Sequence, residues 1–304
     1  MSRLHIGQIG CGVWGLNILR DLKALGAQVC VVDMSADARA AAHTLGAQTF
    51  DCLEQMPPVD GIVVATPASS HADVINQCLI RQVPVFSEKP FTLDLASAEA
   101  LAAKAPDRLF VMHVWRYHPG VEVLRDLVSV QKYGPVEWIR TMRANWTSPR
   151  TDVDSIWTML PHDISILQEV LGFIPEPTAA FAEHNAGVAN GIVAVLGGSP
   201  RAVIETSTRF ENKRREIRVH CADAVLVLQG TDTPEINIHR LDENAPLEPI
   251  SERFPVSSRS ALLRELETFL DYLRGGPSPK TGMNEALKIT RTILALRKMA
   301  GLDD

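Results

Sequence analysis

The stretch "HIGQIGCGVWGLNILRDL", residues 5–22, decides the fold of this 304-residue chain. A short apolar run leads into Gly10, Gly12 and Gly15 at G-x-G-x-x-G spacing, and apolar residues at helical spacing follow. The glycines therefore sit between a predicted strand and a predicted helix. Gly10 permits a tight turn, Gly12 lets a pyrophosphate approach the backbone, and Gly15 lets helix and strand touch. The helix N-terminus, with Val13 and Trp14 in its first turn, directs a partial positive charge at the phosphates. The next strand-like run, "AQVCVVD" at 27–33, ends in Asp33. That lies close to the roughly 20-residue spacing at which a carboxylate bonds the adenosine ribose hydroxyls. An acid there repels a 2′-phosphate, so NAD is the expected cofactor ahead of NADP, with Arg39 the nearby residue able to serve a phosphate.

The same rhythm continues on both sides of this turn. "LHIGQIG", "AQVCVVD", "VDGIVVAT", "VPVFSE" and "RLFVMH" read as strands, and "GLNILRDLKALG" and "HADVINQCLIRQ" as helices between them. Alternation of this kind builds an α/β Rossmann fold with a doubly wound parallel sheet. From about residue 135 the texture changes to "GPVEWIRTMRANW", "TAAFAEH", "GIVAVLG", "RAVIETSTRF", "REIRVHCA", "AVLVLQ" and "EINIHR", half-buried strands of an open, largely antiparallel second sheet. Two helices close the chain, "SALLRELETFLDYLRGG" and "MNEALKITRTILALRKMAG". "LDENAPLEPISERFPVSS", residues 241–258, reads as a proline-rich surface connection. The expected domains are a dinucleotide-binding Rossmann domain at 1–119 and an α+β substrate-binding and oligomerisation domain at 120–304, whose last helix can pack back on the first.

Composition narrows the partners. With 46% hydrophobic and 22% charged residues the chain can bury cores. A formal net charge of −6 argues against nucleic acid, which selects for excess Lys and Arg. The five cysteines show no C-x-x-C and no zinc spacing with histidine, so no metal is expected and reduced thiols in a cytoplasmic protein are. No apolar run approaches the roughly 18 residues a membrane helix needs, and "MSRLHIGQIGCG" carries no signal-peptide core, so no membrane partner is expected.

Two strand ends carry the chemistry, Thr66-Pro67 after one strand and Glu88-Lys89-Pro90 after the next. Strand carboxyl ends are where ligands meet such sheets. With the glycine turn, "TP" followed by the helix-starting His71 and then "EKP" resembles the glucose–fructose oxidoreductase/inositol dehydrogenase (Gfo/Idh/MocA) family over essentially the whole chain. The resemblance implies that Lys89 lies between nicotinamide and substrate, with Thr66, Pro67, His71 and Glu88 beside the cofactor. An ammonium there polarises a carbonyl or stabilises a forming alkoxide, and Pro90 restricts the backbone of Lys89 to extended geometry.

"VDSIWTMLPHDISILQEVLG", residues 153–172, and "HVWRYHP", residues 113–119, resemble the branch of that family acting on sugars and nucleotide-linked sugars. His162 and Asp163 follow Pro161 at what reads as a helix start. His162 is the candidate general base, since neutral imidazole can take the proton of a secondary hydroxyl. The resemblance places His113, Arg116, Trp157, Thr158 and Asp163 around the substrate, Trp157 and Trp115 reading first as packing residues. Thr158 stands where the branch carries an aspartate, and Asp163, Asp154 or Asp152 are the acids near enough in sequence to compensate. The basic run Arg209, Lys213, Arg214, Arg215 and Arg218 reads as a solvated hairpin before a phosphate contact. "GIVAVLG" and "AVLVLQ" supply an apolar sheet face that needs a partner, so a homodimer or homotetramer is expected. The leading expectation is an NAD(P)-dependent dehydrogenase of a sugar, polyol or nucleotide sugar. A dinucleotide-binding regulator that has lost chemistry, or a dimeric scaffold using neither site, is the alternative.

Overall fold

The computed structural model describes residues 3–147, 152–185, 187–240 and 252–302. The chain divides into two compact units, one formed by Met1–Val114 with Ser260–Thr290 and the other by Trp115–Arg259 with Arg291–Asp304.

The first unit opens with β1 (His5–Ile9), α1 (Val13–Ala24), β2 (Gln28–Val32), α2 (Ala36–Thr44) and β3 (Gln48–Phe50). It continues with β4 (Gly61–Val64), α3 (His71–Leu79), β5 (Val85–Glu88), α4 (Leu95–Lys104) and β6 (Leu109–Met112). The six strands lie in the order β3-β2-β1-β4-β5-β6, and every neighbouring pair is parallel. β4, β5 and β6 are buried at every position, as a sheet covered on both faces requires. α1 buries Gly15, Ile18, Leu19 and Leu22, one helical stripe, into a cluster with Ile6, Val31, Val63 and Phe86 on one sheet face. Ile9, Val32, Ile62, Val64 and Ile75 anchor the cluster on the other face.

The second unit holds α5 (Pro119–Ser129), β7 (Val136–Ala144), α6 (Ser155–Leu171), β8 (Pro177–Asn185), β9 (Val188–Leu196), β10 (Arg201–Ser207) and β11 (Arg214–Cys221). β12 (Ala224–Gln229), β13 (Glu235–Arg240) and β14 (Glu252–Pro255) complete an eight-stranded sheet in the order β14-β13-β12-β11-β7-β10-β9-β8. Its neighbours are antiparallel except β7 and β10, which run parallel. α5 and α6 pack on the face that carries Ile139, Thr141 and Arg143 of β7, all buried. The chain then adds α7 (Ala261–Leu273), whose Leu262, Leu266, Phe269 and Leu270 join the α1 cluster of the first unit, and α8 (Met283–Met299).

Three expectations change. The short β3 and the helices α2, α4 and α5 were not singled out as elements. Glu252–Pro255, expected within a surface connection, is an edge strand paired with β13, while residues 241–251 of that connection lie outside the described residues. α6 begins at Ser155 rather than after Pro161, because the Asp154 side chain caps it by accepting from Ile156 N and Trp157 N. Pro161 is therefore inside the helix, where it lacks the N–H that would bond the Trp157 carbonyl. Gly172, in the left-handed region at φ 81°, ends the helix.

Candidate active site

In the first unit the strand order reverses between β1 and β4, which makes the carboxyl ends of these strands the crevice where ligands of open α/β sheets bind. The three glycines after β1 have different structural reasons. Gly10 has φ +90° and a Cβ there would fall 2.6 Å from the Ala65 carbonyl oxygen, while a Cβ at Gly15 would fall 2.7 Å from the Gly10 carbonyl oxygen. A Cβ at Gly12 would meet nothing within 4 Å. Protein packing thus demands the first and third glycines, whereas the second faces open space at the N-terminus of α1, where no side chain caps the helix. That cradle fits a dinucleotide pyrophosphate, bound by backbone N–H groups and the helix dipole.

Asp33 follows β2 and joins it to the turn: Oδ2 accepts from Cys11 N at 2.7 Å and Oδ1 from Ser35 N at 2.8 Å. Each oxygen keeps a second lone pair for a ribose hydroxyl. Arg39 Nη1 donates to the Asp33 and Met34 carbonyls at 2.7 and 2.9 Å.

At the end of β5, buried Glu88 accepts from the indole N–H of Trp14 with Oε1 and from Lys89 N with Oε2, the latter at 3.1 Å. The glycine turn and the "EKP" segment are thereby held together. Lys89 is half-buried between buried Glu88 and Pro90, and the Lys89–Pro90 peptide bond is cis. His71 at the start of α3 is buried, with Nδ1 2.7 Å from the Pro90 carbonyl oxygen and Nε2 3.0 Å from that of Thr66. Through these two carbonyls it braces the two strand-end loops. Thr66 Oγ1 lies 3.0 Å from Ser70 Oγ, Pro67 is exposed, and His113 is buried just after β6.

In the second unit α6 is buried on all sides from Ser155 to Val170 except at Thr158 and His162. These are four residues apart and so share one helix face. The Thr158 hydroxyl donates to the Ser155 carbonyl at 2.9 Å. Asp163, next in sequence to His162, accepts from Arg143 Nε at 2.7 Å. Asp154 accepts from the helix N–H groups and from Arg297 Nη1 at 2.6 Å. Two of the acids expected to compensate for Thr158 are thus engaged with arginines.

Trp157 is buried with the Arg297 guanidinium 5.1 Å from its ring centroid. Trp115 stacks on His118 at 4.8 Å and carries the Arg143 guanidinium 4.4 Å from its ring. Arg116 Nε donates to Glu169 Oε2 at 3.0 Å, and Arg125 Nη1 to Glu169 Oε1 at 2.7 Å, a network about two helical turns beyond His162 on α6.

The basic run departs from expectation at one residue. Arg209, Lys213, Arg214 and Arg218 are exposed, but Arg215 is half-buried, and burial together with the nearby Arg143 lowers its pKa to about 10. Arg143 was missed altogether. Its signal was available in "VEWIRTMRA", where alternation puts Arg143 in phase with Ile139 and Thr141, on the buried side.

A family model described as "Oxidoreductase family, NAD-binding Rossmann fold" matches residues 4–114. The chain is 26% identical over 285 residues to the UDP-N-acetylglucosamine 3-dehydrogenase of Acidithiobacillus ferrooxidans, covering 90% of each chain. It is 23% identical over 271 residues to the inositol 2-dehydrogenase of Rhizobium meliloti, covering 83% of this chain and 82% of that one. The solved structure of the Acidithiobacillus enzyme superposes with a TM-score of 0.85 at 23% identity over 99% of both chains, a likeness of fold.

Proposed function

Because this chain belongs to the Gfo/Idh/MocA oxidoreductase family, we propose that it transfers a hydride between NAD and a secondary alcohol of a sugar, polyol or nucleotide-sugar derivative. The observation that carries the reading is Gly12, whose missing side chain none of the described residues requires and a bound pyrophosphate would. NAD is assigned ahead of NADP because the sequence spacing assigns Asp33 to the ribose hydroxyls and the Arg39 guanidinium is drawn to the backbone carbonyls of the same loop.

The nicotinamide, when bound, accepts or returns the hydride. Lys89 is assigned to the substrate oxygen, where its ammonium stabilises the alkoxide charge that develops as the hydroxyl proton leaves and that is lost again when the hydride departs from the same carbon. His162 is assigned to the hydroxyl proton, which neutral imidazole takes as general base and returns in the reverse reaction. Gly10, Val13, Trp14, Gly15, Thr66, Pro67, His71 and Glu88 shape or brace the cofactor side, and His113, Arg116, Trp157, Thr158 and Asp163 the substrate side. Thr158 supplies a neutral hydroxyl where an acid would orient the histidine, and this weakens the base.

A homo-oligomer is proposed from the sheet face away from α5 and α6. Phe181 and Val193 sit opposite each other on β8 and β9 there, 72% and 43% exposed. The five cysteines are unpaired thiols, which suits a cytoplasmic protein.

The reading is tested by NADH formation at 340 nm against a panel of inositols, free sugars, sugar acids and nucleotide sugars, with NADP in parallel. Turnover of one class with NAD is expected. Tight dinucleotide binding with no turnover of any class, by wild type and by Thr158→Asp alike, overturns it.

A further inference from the structure

Arg143 and Arg215 stand directly opposite each other on the neighbouring antiparallel strands β7 and β11. Like charges in that position repel and cost stability unless something compensates. One acid does: Asp163 pairs with Arg143 at 2.7 Å, with side chains 2% and 5% exposed. Among the described residues Asp163 is the acid whose charge supports Arg215, and Arg143 already takes it. The corner therefore carries one positive charge in excess, in a place where partial burial strengthens every Coulomb interaction.

The donors of Arg215 point the same way. Nη1 donates to the Ala144 and Arg214 carbonyls at 2.9 and 2.6 Å, and Nη2 donates to Asn145 Oδ1 at 2.7 Å. A guanidinium has five N–H groups. The Nε–H and the second Nη2 hydrogen engage none of the described residues. Asn145 is held by Arg215 through its oxygen, which leaves its amide N–H groups for another acceptor. Thr206, opposite Arg143 on β10, is buried with a hydroxyl oxygen that meets no hydrogen-bond partner among the described residues. The unused donors of Arg215 and of the Asn145 it holds, beside an unbalanced cation, match the oxygens of a carboxylate or phosphate.

From this juxtaposition we infer that Arg215, with Asn145, binds an anionic oxygen group of the substrate, so that the sugar acted on carries a carboxylate or a phosphate. The inference rests on the oxidoreductase reading for what the site is used for, and it selects among the substrate classes that reading leaves open. Asp163 lies next to His162 on α6, so the anion site and the assigned base are parts of one unit. Binding an anion relieves the Arg143–Arg215 repulsion, and partial burial favours a ligand that brings the charge the protein lacks.

The test uses the NAD-loaded full chain with myo-inositol as neutral substrate, glucuronate as carboxylate and UDP-N-acetylglucosamine as phosphate-bearing substrate, for wild type, Arg215→Gln and Arg215→Lys. Calorimetric binding of glucuronate and of UDP runs beside the kinetics. One anionic class is expected to bind and turn over best. Arg215→Gln is expected to raise its KM and Kd about 10- to 100-fold, the worth of a charged hydrogen bond. Arg215→Lys is expected to recover part of the loss. Which of the two anions responds identifies the group.

Preference for myo-inositol with no response to either variant overturns the anion site and leaves the oxidoreductase reading standing. A lowered melting temperature with unchanged KM and Kd for every ligand also overturns it, since Arg215 then only ties β11 to β7. Turnover of nothing overturns the oxidoreductase reading, and the calorimetric response to Arg215→Gln then decides the anion site by itself.

Discussion

Arg143 and Asp163 form an ion pair at 2.7 Å between β7 and α6, and neither side chain is more than 5% exposed. Removing one member leaves the other charged and buried, which costs about 3 kcal/mol or more. Asp163→Asn is expected to lower the urea unfolding free energy by that order. The double variant Arg143→Met/Asp163→Leu is expected to recover much of it, because a neutral pair of similar volume carries no desolvation cost. Equal loss in single and double variants would show that the pair matters for packing rather than charge.

The glycine turn separates folding from binding. Gly12→Ala places a methyl group in open space at φ −66°, an ordinary backbone conformation, so the melting temperature is expected to hold or rise slightly while dinucleotide affinity falls. Gly15→Ala drives a methyl group to 2.7 Å from the Gly10 carbonyl, and the fold itself is expected to lose stability. Thermal melting and NAD titration on the two variants check this contrast. A Gly12→Ala protein that melts early with intact affinity would contradict it.

How much of this was legible in the sequence follows the range of the interactions. The glycine turn, Asp33, the strand ends at Thr66 and Lys89 and the two sheets are local patterns of spacing and alternation, and the structure has both sheets. Proline is favoured at a first helical position, so Pro161 in isolation points to a helix start there, whereas the Asp154 side chain caps α6 ahead of Ser155. β3 has three residues, too few for a period to show. The corner of Arg143, Asp163 and Arg215 depends on the β7–β11 register and on α6 packing, contacts between residues 20 to 72 positions apart, which no local pattern encodes. The bracing of Glu88 by Trp14 is equally long-range.

Four thiols report on alkaline stability. Burial is the first cause that raises Cys11, Cys30 and Cys221 to about 11 and Cys78 to about 12, with Asp33 adding to the shift at Cys11. The folded chain therefore holds protons that the unfolded chain gives up near pH 9. Their contribution to stability is complete below pH 9 and is lost as pH rises through 11, and through about 12 for Cys78. The urea midpoint is expected to fall between pH 8 and 10.5, and less so for Cys78→Ala relative to its own value at pH 8. In native protein at pH 8 a thiol reagent is expected to label half-buried Cys52 first, with the other four appearing on unfolding.

The exposed pair Phe181 and Val193 gives a test of assembly. Phe181→Asp with Val193→Lys replaces an apolar contact surface by charge without touching the buried face of the sheet. Light scattering is expected to show an oligomer for wild type and a folded monomer for the variant. A wild-type monomer would remove the proposed interface.

The most direct measurement of the central claim is the turnover number of Lys89→Met and of His162→Asn on the best substrate of the panel, with NAD affinity measured on the same samples. The expected result is a fall in kcat of about 100-fold or more in each, the size seen when a general base or an oxyanion-stabilising group is removed, with NAD affinity changed only a few-fold. Unchanged kcat in Lys89→Met would contradict the account.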